Sequence, residues 1–341
     1  MRNVFLFIFM VTLSSSSLAQ IGGQRVFEFL NVPNNARLSA LGGTNITSGW
    51  DDLTQLSSNP ALINSIWEQQ AAVSYLGYFA DINNTSVSYA NNVKQMGTWA
   101  FNLSYFNYGR FDSYDEQGGY LGEVSAKDYA LSIGYAMQFG VFSAGASAKA
   151  VVSDLAGFRA SGLLVDLGGT FRHPEKDMTI GLAIKNLGLL FADFEDNSNS
   201  QLPLDVQLGF SYKPEFMPFR FSLTTKNTLR DDLVYFNQQS NGFGQVEAPG
   251  LSEEIFRRLV IGTELLISPS FQLRVGYNHL LRQELKLENA TGGAGLSFGF
   301  MFKVKRVEFA YSRALYHVAG GSNTFQLMIN TSELIKRKTN D

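Results

Sequence analysis

Asp205-Val-Gln-Leu-Gly-Phe-Ser-Tyr212 decides the fold. Val206, Leu208, Phe210 and Tyr212 take every second place, and Asp205, Gln207, Gly209 and Ser211 take the places between. A period of two is the mark of a β-strand, whose successive side chains point to opposite faces. One face of this strand is broad and apolar, and the other is small, polar or charged.

The pattern recurs along the chain. It is found in Trp99-Ala-Phe-Asn-Leu-Ser-Tyr105, Thr179-Ile-Gly-Leu-Ala-Ile-Lys185, Arg220-Phe-Ser-Leu-Thr224, Gln272-Leu-Arg-Val-Gly-Tyr-Asn278 and Glu308-Phe-Ala-Tyr-Ser312. A soluble antiparallel sheet would alternate in the same way, but three features point to a membrane barrel. The runs last about 9–13 residues, where globular strands are usually about 5–6 and a tilted membrane strand needs roughly 9–11. Aromatic residues gather near strand ends, as in Tyr75, Tyr78 and Phe79, Tyr105, Phe106 and Tyr108, or Phe298, Phe300 and Phe302, where interfacial girdles would lie. The connections also alternate in length.

About 14 strands are predicted, an even number as single-chain bacterial barrels have. They fall at 70–80, 83–93, 97–108, 125–138, 139–153, 158–172, 178–187, 204–213, 219–228, 256–267, 270–278, 292–303, 306–313 and 323–332. Connections after even strands are short. Those after odd strands include all the long ones, at 109–124, 188–203, 229–255, 279–291 and 314–322; the odd connections near Asp81 and Asp154 are short. Short periplasmic turns and long external loops are the outer-membrane arrangement.

Composition agrees. Only 17% of residues are charged and the net charge is -3, which argues against nucleic-acid binding. There is no cysteine, hence no disulfide framework and no thiolate metal site. Residues 1–19 read as a cleaved signal peptide, with Arg2, the apolar run Val4–Leu13 and the small-x-small end Ser17-Leu18-Ala19. No later run is long enough for a membrane helix, so an exported, embedded chain must be a barrel.

Residues 20–69 do not alternate. They are dense in Gly, Asn, Ser and Asp, with short apolar clusters at Val26, Phe27, Phe29 and Leu30 and at Ala61, Leu62 and Ile63. We read this stretch as a segment plugging the lumen of a transmembrane antiparallel barrel formed by 70–332, with a tail at 333–341. A segment that starts on the periplasmic side sends the first strand outward. The inward face then carries Lys149, Asp166, Lys185, Asp205, Arg220, Glu264, Arg274 and Glu308. A Lys or Arg facing lipid at the midplane would cost about 2–4 kcal/mol. These charges are expected to pair with one another or with Arg37, Asp51 and Asp52 of the plug.

Gly295-Leu-Ser-Phe-Gly299 matches the pattern of a serine-hydrolase elbow, but Ser297 falls inside an alternating strand where the elbow needs a turn into a helix. His173, His279 and His317 lie far apart, without ligand spacing. No catalytic, metal or cofactor site is expected. The loop 229–255 is long and polar. Its Tyr235, Phe236 and Phe243 are candidate partner-docking residues. Lys336-Arg337-Lys338 reads as a solvated tail.

Val26-Phe-Glu-Phe-Leu-Asn31, Ala36-Arg-Leu-Ser-Ala-Leu-Gly-Gly43 and Asn59-Pro-Ala61 resemble the plug motifs of the fatty-acid-transporter-like barrels of Bacteroidetes. Together with Arg257-Arg-Leu-Val-Ile-Gly-Thr-Glu264 and Leu273-Arg-Val-Gly-Tyr277, the chain is similar to the PorV/PorQ group of type IX secretion. The resemblance singles out Phe27, Phe29, Asn31, Arg37, Leu41, Gly42, Gly43, Asn59, Pro60 and Ala61 as motif residues of the plug. It implies a non-enzymatic outer-membrane component of the complex that attaches secreted cargo to the cell surface. Its partners would be PorZ-like and PorU/PorV-like proteins, with anionic lipopolysaccharide nearby. The fold also allows another role, that of an outer-membrane transporter for hydrophobic small molecules.

Overall fold

The computed structural model describes residues 25–93, 96–115, 117–194, 200–230, 250–285, 292–317 and 320–332. Fourteen strands close into one barrel, each antiparallel to its neighbours, and β14 returns to pair with β1. They are β1 Gln70–Gly77, β2 Asn83–Val93, β3 Gly97–Tyr114, β4 Tyr120–Phe139, β5 Phe142–Leu155, β6 Phe158–Arg172 and β7 Asp177–Ala192, then β8 Asp205–Lys213, β9 Phe219–Thr225, β10 Leu259–Ser268, β11 Phe271–Asn278, β12 Leu296–Val304, β13 Val307–His317 and β14 Gly320–Asn330. The connections after odd strands share one rim, here the loop rim. Those after even strands share the other, the turn rim.

Several expected loops are structured. The stretch 109–124 is mostly strand, because alternation resumes after a register shift between Asn107 and Arg110. Gly109 takes φ 88° at that shift, a conformation a side chain would resist. Beyond it β3 and β4 continue as a ribbon to Tyr114 and Tyr120, whose rings meet edge to face at 5.8 Å. Strand β13 likewise runs on to His317, so the expected loop 314–322 shrinks. Short helices Leu251–Arg257 and His279–Leu285 occupy the ends of two other loops, which delays the start of β10 to Leu259. Tyr235, Phe236, Phe243 and 333–341 lie outside the described residues, as does the signal stretch 1–19.

The alternation sorts the two faces as expected. Leu103, Leu131, Leu163 and Leu189 form an outward row across β3 to β7, between 46% and 70% exposed. Inward positions are buried and small or polar, such as Ser86, Ser88, Asn102, Ser132, Ser147 and Thr170.

What buries that inner face is the segment 25–69, which contacts strands all around the bore. Its composition explains its shape. Asn35, Asp52, Asn59 and Asn64 each turn a side-chain oxygen onto a backbone N–H two or three residues on, capping four single turns in succession. The turns are Ala36–Ala40, Leu53–Ser57, Pro60–Leu62 and Ser65–Trp67. The segment lies so close to the wall that some wall positions admit no side chain. A Cβ on Gly145 would stand 2.5 Å from the Pro60 carbonyl.

The direction of the segment differs from expectation. It begins at the loop rim, where Val26 N–H donates to Gln201 O at 3.1 Å. It ends at the turn rim, where Gln69 N–H donates to Ala90 O at 2.8 Å. The chain therefore descends through the bore before β1 climbs the wall, and β1 still runs from turn rim to loop rim.

Candidate functional site

The segment divides the bore. On its loop-rim side a crevice of about 670 Å³, open mouth included, lies between Val32-Pro33 and the wall. Leu280 and Leu281 of the helix His279–Leu285 close one side, and Leu296, Ala314, Leu315 and Tyr316 close another. Tyr78, just beyond β1, packs edge to face on Tyr316 at 5.1 Å. The lining is mostly apolar, with a few polar groups at its floor and end, which is the usual make-up of a small-molecule pocket.

The floor is held by a chain of hydrogen bonds. Gly42 N–H donates to Ser297 Oγ at 3.0 Å, and Ser297 Oγ–H donates to Ala40 O at 2.9 Å. Asn278 Nδ2 donates to Gly42 O at 3.0 Å. Ser297 thus ties the segment to β12 with its donor and an acceptor pair in use, and it sits within a strand rather than at a strand-to-helix elbow. Gly42 and Gly43 take φ 87° and 97°, so the Gly-Gly pair lets the segment turn under the crevice.

Lys226 lies at one end of the crevice and donates to Asn31 O at 3.2 Å. Burial pushes its ammonium pKa down, and Asp205 opposes the shift. On the loop rim Glu253 meets His279 at 3.2 Å and Arg257 at 3.1 Å. Burial works the other way there, but the hydrogen bond from His279 and the charge of Arg257 hold the Glu253 carboxyl below the usual range.

Beneath the floor, Arg37 is the hub that fastens segment to wall. It lies 2.9 Å from Glu264 of β10, 3.3 Å from Asp52 and 3.5 Å from Asp51. Glu264 also meets Arg274 at 3.4 Å and Arg220 at 3.5 Å. Arg37, Asp52, Glu264 and Arg274 are all at most 2% exposed. Lys149 bonds Asp166 at 2.7 Å and Asn186 at 2.6 Å on the opposite wall. The expected inward charges do point inward, and the pairing with Arg37, Asp51 and Asp52 forms.

The motif residues singled out in the segment divide by role. Phe27 and Phe29 are buried near the loop rim, with Phe29 edge to face on Phe106 at 6.1 Å. Leu41, Asn59, Pro60 and Ala61 are fully buried against the wall. Asn59 caps Ala61 N–H at 2.9 Å and donates to Ile46 O at 2.9 Å. Asn31, Gly42 and Gly43 reach the crevice. Leu280, Leu281, Leu315 and Tyr316 were not singled out from the sequence, and Tyr78 was read only as a strand-end aromatic. His279–Leu285 contains two adjacent leucines in a polar stretch, which is the one local signal that it covers something apolar.

His173 and His279 stay apart. His173 Nδ1 accepts from the backbone N–H groups of Glu175 and Lys176 at 3.1 Å. Among the described residues no group of three His, Asp or Glu side chains is arranged to hold a metal ion.

No family model matches the chain, and no curated protein matches it. Its structure is similar to those of FadL-like barrels. A mutant of TodX, described as a monoaromatic hydrocarbon channel, is 14% identical, with 87% of this chain and 97% of that chain covered and a TM-score of 0.48. A FadL homologue from Pseudomonas aeruginosa is 12% identical over 87% of this chain and 98% of that one, with a TM-score of 0.47. The outer-membrane protein Omp33 of Acinetobacter baumannii is 8% identical over 77% and 99%, with a TM-score of 0.38.

Proposed function

We propose that this protein is an outer-membrane barrel that admits small hydrophobic molecules at its loop rim, without catalysing a reaction on them. The apolar outer face supports the location. Rows such as Leu103, Leu131, Leu163 and Leu189 make an apolar band too large for a soluble monomer, and lipid is the solvent it suits. The observation that carries the uptake reading is the crevice itself, an apolar recess between Val32-Pro33 and β12–β13 that opens at the loop rim. Burying a hydrocarbon there is worth about 25 cal/mol per Å² of apolar surface.

The test is equilibrium binding of a tritiated monoaromatic or alkane probe to the protein in nanodiscs. Ala314 faces the crevice and is 7% exposed. Ala314→Phe fills the recess and is expected to weaken binding about tenfold, the loss of roughly 1.4 kcal/mol of contact. Equal binding by both proteins sinks the reading.

A second reading is favoured by the fastened segment, which closes the bore beneath the crevice. A sealed barrel serves well as a membrane anchor. Together with the resemblance to the PorV/PorQ group, this supports a docking platform for PorZ-like and PorU/PorV-like partners near lipopolysaccharide. Pull-down of the tagged protein from outer membranes separates the two. Recovery of a large surface complex, with cargo secreted but unattached in a deletion strain, favours the platform.

A further inference from the structure

A second recess opens at the turn rim, on the far side of the segment from the crevice. It is a bowl of about 1100 Å³, mouth included, between Trp50-Asp51 and the lower ends of β6 to β11. Five charged side chains line it, and four of them are paired. Arg37 and Asp51 meet at 3.5 Å, Arg220 and Asp177 at 3.1 Å, and both arginines also reach Glu264. Arg172 is the fifth. Its guanidinium lies over the Trp50 ring at 5.6 Å, and among the described residues no carboxylate reaches it. It projects inward at the end of β6, level with Thr179 of β7, so it faces the bowl and not lipid headgroups.

Around it are polar groups with hydrogen-bonding capacity that no side chain takes up among the described residues. Thr179 and Ser211 are 3% and 4% exposed and line the bowl with free hydroxyls. Gln272, 9% exposed, accepts from Arg274 at 3.1 Å through its oxygen, which leaves its amide N–H groups to the bowl. The polar atoms of all three open onto the bowl, where they can bond a group from outside. A guanidinium placed over an aromatic ring is drawn to it by a cation–π attraction, and its N–H donors remain free for an oxyanion.

We propose that the bowl binds a carboxylate group, carried by a small organic acid or by the end of a polypeptide, with Arg172 as its cation. The charge count selects a monoanion. One unpaired guanidinium stands beside Asp51 and Asp177, and those carboxylates would repel a phosphate dianion. Arg172 and the Gln272 amide donate to the ligand, and the two hydroxyls complete its shell. Trp50 holds the Arg172 fork in place.

The full-length protein in detergent micelles is titrated with N-acetyl-trialanine, with its C-terminal amide, with acetate and with inorganic phosphate, followed by calorimetry. The free peptide is expected to bind and the amide to bind at least about tenfold more weakly, since the amide lacks the charge that strengthens its hydrogen bond to Arg172. Acetate matching the peptide would assign the site to small acids, and the peptide binding alone would assign it to polypeptide ends. Arg172→Gln is expected to lose the binding and Arg172→Lys to restore part of it. Neither should move the melting temperature, because Arg172 is exposed and makes no ion pair among the described residues. Peptide and amide binding alike, phosphate binding more tightly than both, Arg172→Gln binding as the parent does, or no saturable binding at all would overturn the proposal.

Discussion

The two parts of the inner segment are held by different physics. Residues 25–33 hang from the loop rim on apolar side chains. Val26, Phe27 and Phe29 pack with Phe106, Ala130, Val151 and Leu164, and few polar bonds join this part to the wall. Residues 35–67 are capped at every turn, pressed onto wall glycines and anchored by a buried ion cluster around Arg37. They add an apolar cluster of their own at Leu53, Leu56, Leu62, Ile63 and Trp67. Apolar contacts have no preferred direction, so the first part can shift against its partners at modest cost. Ion pairs and caps have one good geometry each. The first part borders the crevice and the second lies beneath it, packed against the wall. A ligand can therefore displace residues 25–33 more readily than residues 35–67.

The strongest way to break that contrast is to unpin the second part. Glu264 is the acceptor shared by Arg37, Arg274 and Arg220. Glu264→Ala takes from buried Arg274 the one ion-pair partner it has among the described residues and from Arg37 one of three, and removing one partner of such a buried group costs about 3–5 kcal/mol. Urea unfolding of the folded protein in detergent is expected to show a loss of that size. A change under roughly 1 kcal/mol would mean that the cluster is hydrated and the segment is held by packing throughout.

Loosening the first part should cost somewhat less and stay local. Phe29 is 6% exposed and fills the space beside Phe106. Phe29→Ala is expected to cost about 3 kcal/mol, the lower end for a buried Phe because the site lies near an open rim. Hydrogen exchange is the sharper measurement. Protection should fall across 25–33 and remain across 35–67. If both parts exchange together, the segment is one cooperative unit and the contrast is wrong.

The features that could be read from the sequence are those with a local cause. The strands show because lipid and lumen demand opposite side chains at alternate positions, as in Trp99–Tyr105. The inward charges show because Lys149 or Arg274 has nowhere else to point. The ribbon beyond Asn107 was hidden because a single Gly109 shift breaks the period before alternation resumes. The capped turns were visible only as a density of Asn and Asp, since each cap depends on a residue two or three places on. The crevice was not legible. It is assembled when β14 closes onto β1 and brings Tyr78 against Tyr316, which no local pattern encodes. The bowl was hidden for the same reason, since Arg172 and Trp50 meet only once the segment has been threaded through the bore.

The smallest expected effect tests whether any polar tie matters in the first part. Arg230 pairs with Glu28 at the loop rim, with side chains 28% and 42% exposed. An ion pair this open to water is screened, and ordering two long side chains offsets much of its attraction. Arg230→Ala is therefore expected to cost roughly 0.5 kcal/mol or less. The informative readout is the crevice, because Glu28 opens the turn that leads to Asn31 and Val32. If apolar packing alone positions that turn, Arg230→Ala will leave hydrocarbon binding unchanged while Phe29→Ala weakens it. If Arg230→Ala weakens binding as much as Phe29→Ala does, the first part is clamped electrostatically from above, and its freedom to move must be sought in the helix His279–Leu285 instead.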